Sequence, residues 1–254
     1  MSELLHLNRY GPTGPAQVLA IHGLTGHGQR WQTLATRYLA QFAVTAPDLL
    51  GHGRSSWAAP WTIDANVAAL AALLDTPTVV VGHSFGGAVA LALAASRPDL
   101  VSALVLLDPA VGLDGGWMRD IADDMLASPD YTDRAEARAE KAYGSWADVH
   151  AEELDRELDE HLVDQVNGRV GWRISIPAMM SYWSELARPI TLPPSTIPTT
   201  LVRASGTSPP YVTEELLAGL EVERDFTLMD FDCDHMVAQA LPVETAAVIR
   251  KALG

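Results

Sequence analysis

Ser84 stands between glycines at the end of a β-branched run, in Thr78-Val79-Val80-Val81-Gly82-His83-Ser84-Phe85-Gly86-Gly87. Gly82 through Gly86 fits G-x-S-x-G, a pattern that puts serine at the tip of a sharp strand-to-helix turn. Sterics explain the glycines, because side chains two residues either side of a strained serine would strike the turn and neighbouring chain. An Ala-rich helical run from Gly86 to Arg97 follows and stops at Pro98. A tight turn packing a helix on a sheet is the plain structural reading, and it is compatible with a chemical one. A serine hydroxyl is a weak nucleophile at neutral pH and needs an adjacent base. His235, in Asp234-His235-Met236, is the histidine that a loop after the last predicted strand can carry across the strand ends. The N–H of Phe85, at the start of the helix, is a donor for a developing oxyanion, and the helix dipole assists it.

These residues need a scaffold, and the chain supplies an alternation of short apolar runs with helical patterns. That rhythm predicts an α/β fold with a mostly parallel central sheet and helices on both faces. Strands are expected at Val18–Ile21, Ala43–Ala46, Thr78–Val81, Ala103–Leu107, Thr200–Val202 and Thr227–Met229, with an edge strand near Leu4–Asn8. Helices are expected around Gln29–Ala40, Ile63–Leu74, Phe85–Arg97 and Val243–Leu253. Between Val111 and Pro198 the rhythm breaks, leaving helical periodicity at Ala135–Tyr143 and Trp146–Val166 and no strand-like run. The expected division is therefore a core of residues 1–110 and 199–254 with an inserted helical lobe of 111–198. This lobe holds 17 of the 32 acidic residues against 8 basic ones, which reads as solvated helix faces. Most of its large apolar residues should form its own core. Trp146, Met179, Met180 and Trp183 are candidates to line a substrate pocket.

Bulk properties exclude several classes. A length of 254 residues suits one large α/β domain. A formal net charge of -15 disfavours nucleic acid and anionic membrane surfaces, which would repel it. Cys233 is the one cysteine, so no internal disulfide forms. The N-terminus lacks the pattern of a signal peptide, and no run approaches the roughly 18 apolar residues of a membrane helix. A cytoplasmic protein is the expectation. No cluster has metal-ligand spacing and no phosphate or dinucleotide fingerprint appears, so neither a metal nor a cofactor is expected.

Other motifs extend the pattern around Ser84. His22-Gly23-Leu24-Thr25-Gly26 follows one predicted strand, and Pro47-Asp48-Leu49-Leu50-Gly51-His52-Gly53-Arg54-Ser55 follows the next. With GHSFGG and Asp234-His235-Met236 they stand in the order of the α/β-hydrolase family, which the chain resembles over nearly its whole length. The lobe sits where that family inserts its cap. The resemblance implies that Ser84 is the nucleophile, that His235 is its base, and that the Leu24 N–H joins Phe85 in the oxyanion hole. The family most often places its acid after the strand that follows the cap. Here Leu201 to Ser208 holds no carboxylate, and the next acids are Glu214 and Glu215. Some members use the end of the strand after the nucleophile helix, where Asp108 stands. That strand should lie about 4.8 Å from the nucleophile strand, within reach of the imidazole. Asp108 is the expected acid, with Glu214, Asp232 or a two-residue arrangement as alternatives.

His6, His27, His150 and His161 read as surface or capping histidines, whereas His22, His52 and His83 read as packing within the motifs. Asp48 and Asp234 read as loop-stabilising groups, and Cys233 as packing. The expected function is hydrolysis of small, fairly apolar carboxylic esters through an acyl-enzyme on Ser84. Lactone, thioester or C–C cleavage and perhydrolysis run on the same constellation, and a low-turnover lyase or ligand-binding member of the fold is the other class. The expected partner is a small ester-like molecule, and nothing in the sequence speaks to oligomeric state.

Overall fold

A computed structural model describes residues 4–166, 168–222 and 225–254. In chain order the first half runs β1 (Leu7–Tyr10), β2 (Val18–Ile21), β3 (Val44–Pro47), α1 (Ile63–Ala71), β4 (Thr78–His83), α2 (Phe85–Ser96) and β5 (Val101–Leu107). An inserted stretch follows: α3 (Gly115–Ala127), α4 (Arg134–Tyr143), α5 (Ala151–His161), β6 (Leu162–Asp164), β7 (Val170–Trp172) and α6 (Ile176–Leu186). The chain then returns through β8 (Thr199–Ala204), α7 (Glu214–Glu221), β9 (Phe226–Phe231), α8 (Val237–Ala240) and α9 (Pro242–Leu253).

Among the described residues the main sheet has seven strands in the order β1-β3-β2-β4-β5-β8-β9. β1 pairs antiparallel with β3, and every other pairing is parallel. The central strands β2 and β4 are buried on both faces, as a sheet covered by helices requires. Leu19, Ile21, Val80, Leu104 and Leu106 point into one core with α1 and α2. Val18, Ala20, Val79, Val81, Val105 and Leu107 point into another with α9 and Trp31. Each fully buried leucine of β5 contributes about 1.5–3 kcal/mol of transfer free energy. No helix among the described residues is long and apolar enough to cross a membrane.

Two expected helices are corrected. Residues expected as one helix over Gln29–Ala40 form a 3-10 turn at Gly28–Trp31 and a wider π turn at Leu34–Tyr38. The Leu39 N–H reaches back to the Leu34 carbonyl at 3.1 Å, and the Thr36 hydroxyl takes the Gln32 carbonyl at 2.8 Å, which breaks the regular ladder. The expected helix over Trp146–Val166 begins only at Ala151 and ends at His161. Its tail becomes β6, which pairs with β7 just beyond it, Leu162 lying opposite Trp172. Tyr131 exchanges backbone bonds with Val170 at 2.8 and 3.0 Å, so the β-branched valines are used in pairing.

The insertion is fastened to the loop that follows β3. Ser175 N donates to the Gly51 carbonyl at 2.8 Å and Gly53 N to the Arg173 carbonyl at 2.9 Å. The Tyr182 hydroxyl donates to the Leu50 carbonyl at 3.0 Å. Asp48, expected as a loop-stabilising group, accepts the Gly28 N–H at 2.7 Å and the Arg54 N–H at 2.8 Å.

Candidate active site

Register brings the candidate residues to one edge. His83 of β4 lies opposite Leu107 of β5, and Leu107 lies opposite Val202 of β8. The next residues, Ser84 and Asp108, therefore leave neighbouring parallel strands at the same level. The Ser84 backbone is held by three bonds. Its N–H donates to the Leu107 carbonyl at 3.0 Å, and its carbonyl accepts from Gly87 N at 2.8 Å and Ala110 N at 3.1 Å. These hold it at φ 54°, a region costly for a residue with a Cβ and kept only where surroundings enforce it. The motif glycines follow from this turn. A Cβ at Gly82 would run into the Gly86 carbonyl, and one at Gly86 into the Ile21 carbonyl of β2.

The loop after β2 lies directly against the serine. A Cβ at Gly23 would stand 2.8 Å from Ser84 Cβ, so only glycine lets the following residue, Leu24, approach. Among the described residues neither the Leu24 nor the Phe85 N–H is given to a backbone acceptor. His22 shapes this loop. Its Nε2 accepts the Leu49 N–H at 2.9 Å and its Nδ1 donates to the Gly23 carbonyl at 2.7 Å.

Of the carboxylates considered from sequence, Asp108 is the one in contact with the His235 ring. Its Oδ2 accepts from His235 Nδ1 at 2.6 Å, and it is 1 % exposed. The end of β8 and the segment after it, which lack a carboxylate, supply donors instead. Ala204 N–H reaches Asp108 Oδ1 at 3.2 Å and the Thr207 hydroxyl reaches Oδ2 at 3.3 Å. Asp234 Oδ1 accepts the backbone N–H of His235 at 2.6 Å, Asp232 is exposed, and Glu214 opens α7. His83 Nε2 donates to the His235 carbonyl at 2.7 Å, and the Tyr211 ring packs 4.3 Å from the His235 ring. Cys233 is buried, and burial pushes its thiol up to about 12, which fits packing.

Ser84, His235, Leu24 and His83 open on one cavity of about 580 Å³ between the strand ends and the insertion. Trp146 and Trp183 lie on its wall with Trp172, another large apolar residue of the lobe, and with Tyr211, which sequence reading did not pick out. Met179 and Met180 do not line it. Met179 is fully buried in the core and Met180 packs against that core.

Sequence reading also missed a buried polar cluster beside the cavity, and two histidines need correcting. His27 and His161, expected at the surface, are 5 % and 1 % exposed and stack at 4.4 Å. Glu157 accepts from Arg30 Nε at 3.0 Å, from His27 Nε2 at 2.9 Å and from Lys141 Nζ at 3.3 Å. Burial works to raise the Glu157 carboxyl, yet Arg30, Lys141 and His27 together hold it well below the carboxylate range. The Thr25 carbonyl accepts from Arg30 Nη2 at 3.0 Å and His161 Nε2 at 3.1 Å. The insertion thus grips the loop that carries Leu24. One signal was available: Glu157 sits on the apolar stripe Leu154, Leu158, His161 of α5, where a charge needs a partner. Glu157→Gln leaves two buried cations without their counter-charge and should cost about 3–5 kcal/mol. Urea unfolding measures it, and a loss below about 1 kcal/mol would contradict the pairing.

Burial also holds four rings neutral. His22, His83 and His161 lie well below the ordinary 6.5, and His52 is brought down to about 3. Below pH 6.5 the unfolded chain takes up protons that these rings refuse in the fold, so stability must fall as pH drops. Each ring contributes up to about 1.4 kcal/mol per pH unit between 6.5 and its folded value. Urea midpoints should therefore decline steeply from pH 6.5 to 4.5, and a flat profile would contradict the neutral rings.

The fold and site define an alpha/beta hydrolase. That family matches residues 18–248, and the chain belongs to it. Among its relatives is Lipase LipV of Mycobacterium tuberculosis (strain ATCC 25618 / H37Rv), 66% identical over 256 residues covering 98% of each chain. A pimeloyl-[acyl-carrier protein] methyl ester esterase of Neisseria meningitidis is 42% identical over 95 residues, 37% of each chain. Among solved structures, E-2-(acetamidomethylene)succinate hydrolase superposes with a TM-score of 0.82 at 22% identity, covering 98% of this chain and 94% of that one. The thioesterase domain from the curacin biosynthetic pathway gives a TM-score of 0.77 at 23% identity, covering 97% and 95%.

Proposed function

We propose that the protein is a serine carboxylesterase in which residues 111–198 act as a cap over the reaction cavity. The observation that carries this reading is the 2.6 Å bond from His235 Nδ1 to buried Asp108. It commits the Nδ1 proton to the carboxylate and leaves Nε2 free as a base beside the cavity that holds Ser84. In this reading Ser84 Oγ attacks the ester carbonyl while His235 Nε2 takes its proton. The Leu24 and Phe85 N–H groups hold the oxyanion, each worth about 3 kcal/mol of transition-state stabilisation. The imidazolium, stabilised by Asp108, returns its proton to the leaving alcohol. A water then attacks the acyl-enzyme by the same route in reverse roles and releases the acid.

The 66% identical relative named a lipase and the partial match to a methyl ester esterase support esters as the substrate class. The aromatic wall suits a fairly apolar acyl or alcohol part. The test is hydrolysis of p-nitrophenyl esters from acetate to decanoate, with wild type beside Ser84→Ala. Turnover that depends on Ser84, with an optimum in chain length set by the cavity, is expected. No turnover at any length, or equal turnover in both proteins, would overturn the reading.

A further inference from the structure

Lys141, near the end of α4, lies on the wall of the cavity that Ser84 and His235 share. Its side chain is 10% exposed, and the ammonium sits 4.2 Å from the Trp172 ring and 4.8 Å from the Trp146 ring. Its one hydrogen bond among the described residues is a long contact of 3.3 Å to Glu157 Oε1. That oxygen already accepts Arg30 Nη2 at 2.5 Å, while Oε2 accepts Arg30 Nε at 3.0 Å and His27 at 2.9 Å. The guanidinium thus satisfies the carboxylate, and two of the three ammonium N–H bonds have no acceptor among the described residues.

The charges do not balance. Arg30 and Lys141 face Glu157 alone in the buried cluster, and His27 and His161 add no negative charge. One positive charge is in excess. Buried charges are normally paired, because desolvation without a counter-charge is costly. Burial pulls the Lys141 ammonium down to about 8, even with Glu157 opposing the shift. Asp124 and Glu140 also line the cavity, but both are exposed. Glu140 accepts from the Tyr131 hydroxyl at 2.7 Å, and neither hydrogen-bonds Lys141. Solvent screens them, whereas the indoles shield Lys141 and raise the value of any charge brought to it. An ammonium is a compact point charge with three N–H donors, from which a carboxylate oxygen can accept.

We propose that Lys141 is an anion subsite of this cavity, and that preferred substrates are esters bearing a second, carboxylate group. The substrate preference rests on the esterase reading; anion binding does not. Initial rates by pH-stat would compare monomethyl esters of glutaric through sebacic acid with methyl alkanoates of equal chain length. For a carboxylate on the alcohol side, 4-hexanoyloxybenzoate would be set against phenyl hexanoate. Wild type should favour at least one charged ester by about tenfold in kcat/KM, each tenfold being 1.4 kcal/mol. Lys141→Met should reduce that charged-to-neutral ratio by at least tenfold, and Lys141→Arg should restore part of it. A wild-type ratio near one, or a ratio unchanged by Lys141→Met, would overturn the proposal.

A second measurement is independent of catalysis. Adipate titrated against Ser84→Ala protein should quench tryptophan fluorescence saturably, through Trp146 and Trp172, and Lys141→Met in that background should abolish it. Circular dichroism would confirm that each variant is folded. Absent adipate binding with neutral esters still hydrolysed would refute the subsite and spare the esterase. Adipate binding with no ester turned over would support the subsite and refute the esterase.

Discussion

Ser84→Ala should lower kcat/KM for p-nitrophenyl esters by about 10⁴- to 10⁶-fold while leaving the unfolding midpoint nearly unchanged. The size follows from the role, since without Oγ there is no acyl-enzyme and His235 has nothing to activate. The neutrality toward folding follows from the geometry. The bonds that hold position 84 are made by its backbone to Leu107, Gly87 and Ala110, and alanine keeps all of them. The effect should also be non-additive. Adding His235→Ala to Ser84→Ala should cost less than about threefold more, because the two act as a unit. A fall of less than about a hundredfold in the single variant would remove Ser84 from the chemistry.

Asp108→Asn should lower kcat by about 10²- to 10⁴-fold with the fold intact. The Ala204 N–H, 3.2 Å from Oδ1, would hold the amide oxygen there and turn the amide NH₂ toward His235. A ring facing that donor must present a bare Nδ1, so its proton moves to Nε2, the nitrogen needed as the base. Steady-state kcat measures the loss, and ¹⁵N chemical shifts of the imidazole report the tautomer directly. A drop below tenfold would move the acid role away from Asp108. The unchanged tautomer would carry the same message from a separate observable.

Much of the site was legible because its constraints are local. Gly82 and Gly86 mark a turn that no other residue fits, and Thr78 to Val81 is a strand apolar on both faces, so Ser84 could be placed from the sequence. Asp108 needed the strand order as well, since its reach to His235 depends on β5 lying beside β4. What sequence reading missed depends on non-local partners. Nothing near Gln29 announces that Gly28, just before the expected helix, is pressed against the Ala46 carbonyl and bonded to Asp48, or that the segment after it forms a 3-10 turn and a π turn. His27 and His161 look like ordinary polar residues until Glu157 and Thr25 are brought to them across 130 and 136 residues of chain. Helices α3 and α6 carried readable start signals, Asp114 and Ser175, whose side chains accept the Trp117 and Ala178 N–H groups. Met179 and Trp183 lie four apart on α6 yet serve different surroundings, core and cavity, because packing rather than hydrophobicity decides which one faces the cavity.

The central claim is that Ser84 is a nucleophile activated by His235. Incubation with a fluorophosphonate, followed by mass mapping of the modified peptide, tests it most directly. One adduct per chain on Ser84, lost in His235→Ala, is the predicted result. Ester hydrolysis that continues while Ser84 stays unmodified, or an adduct on another residue, would contradict it.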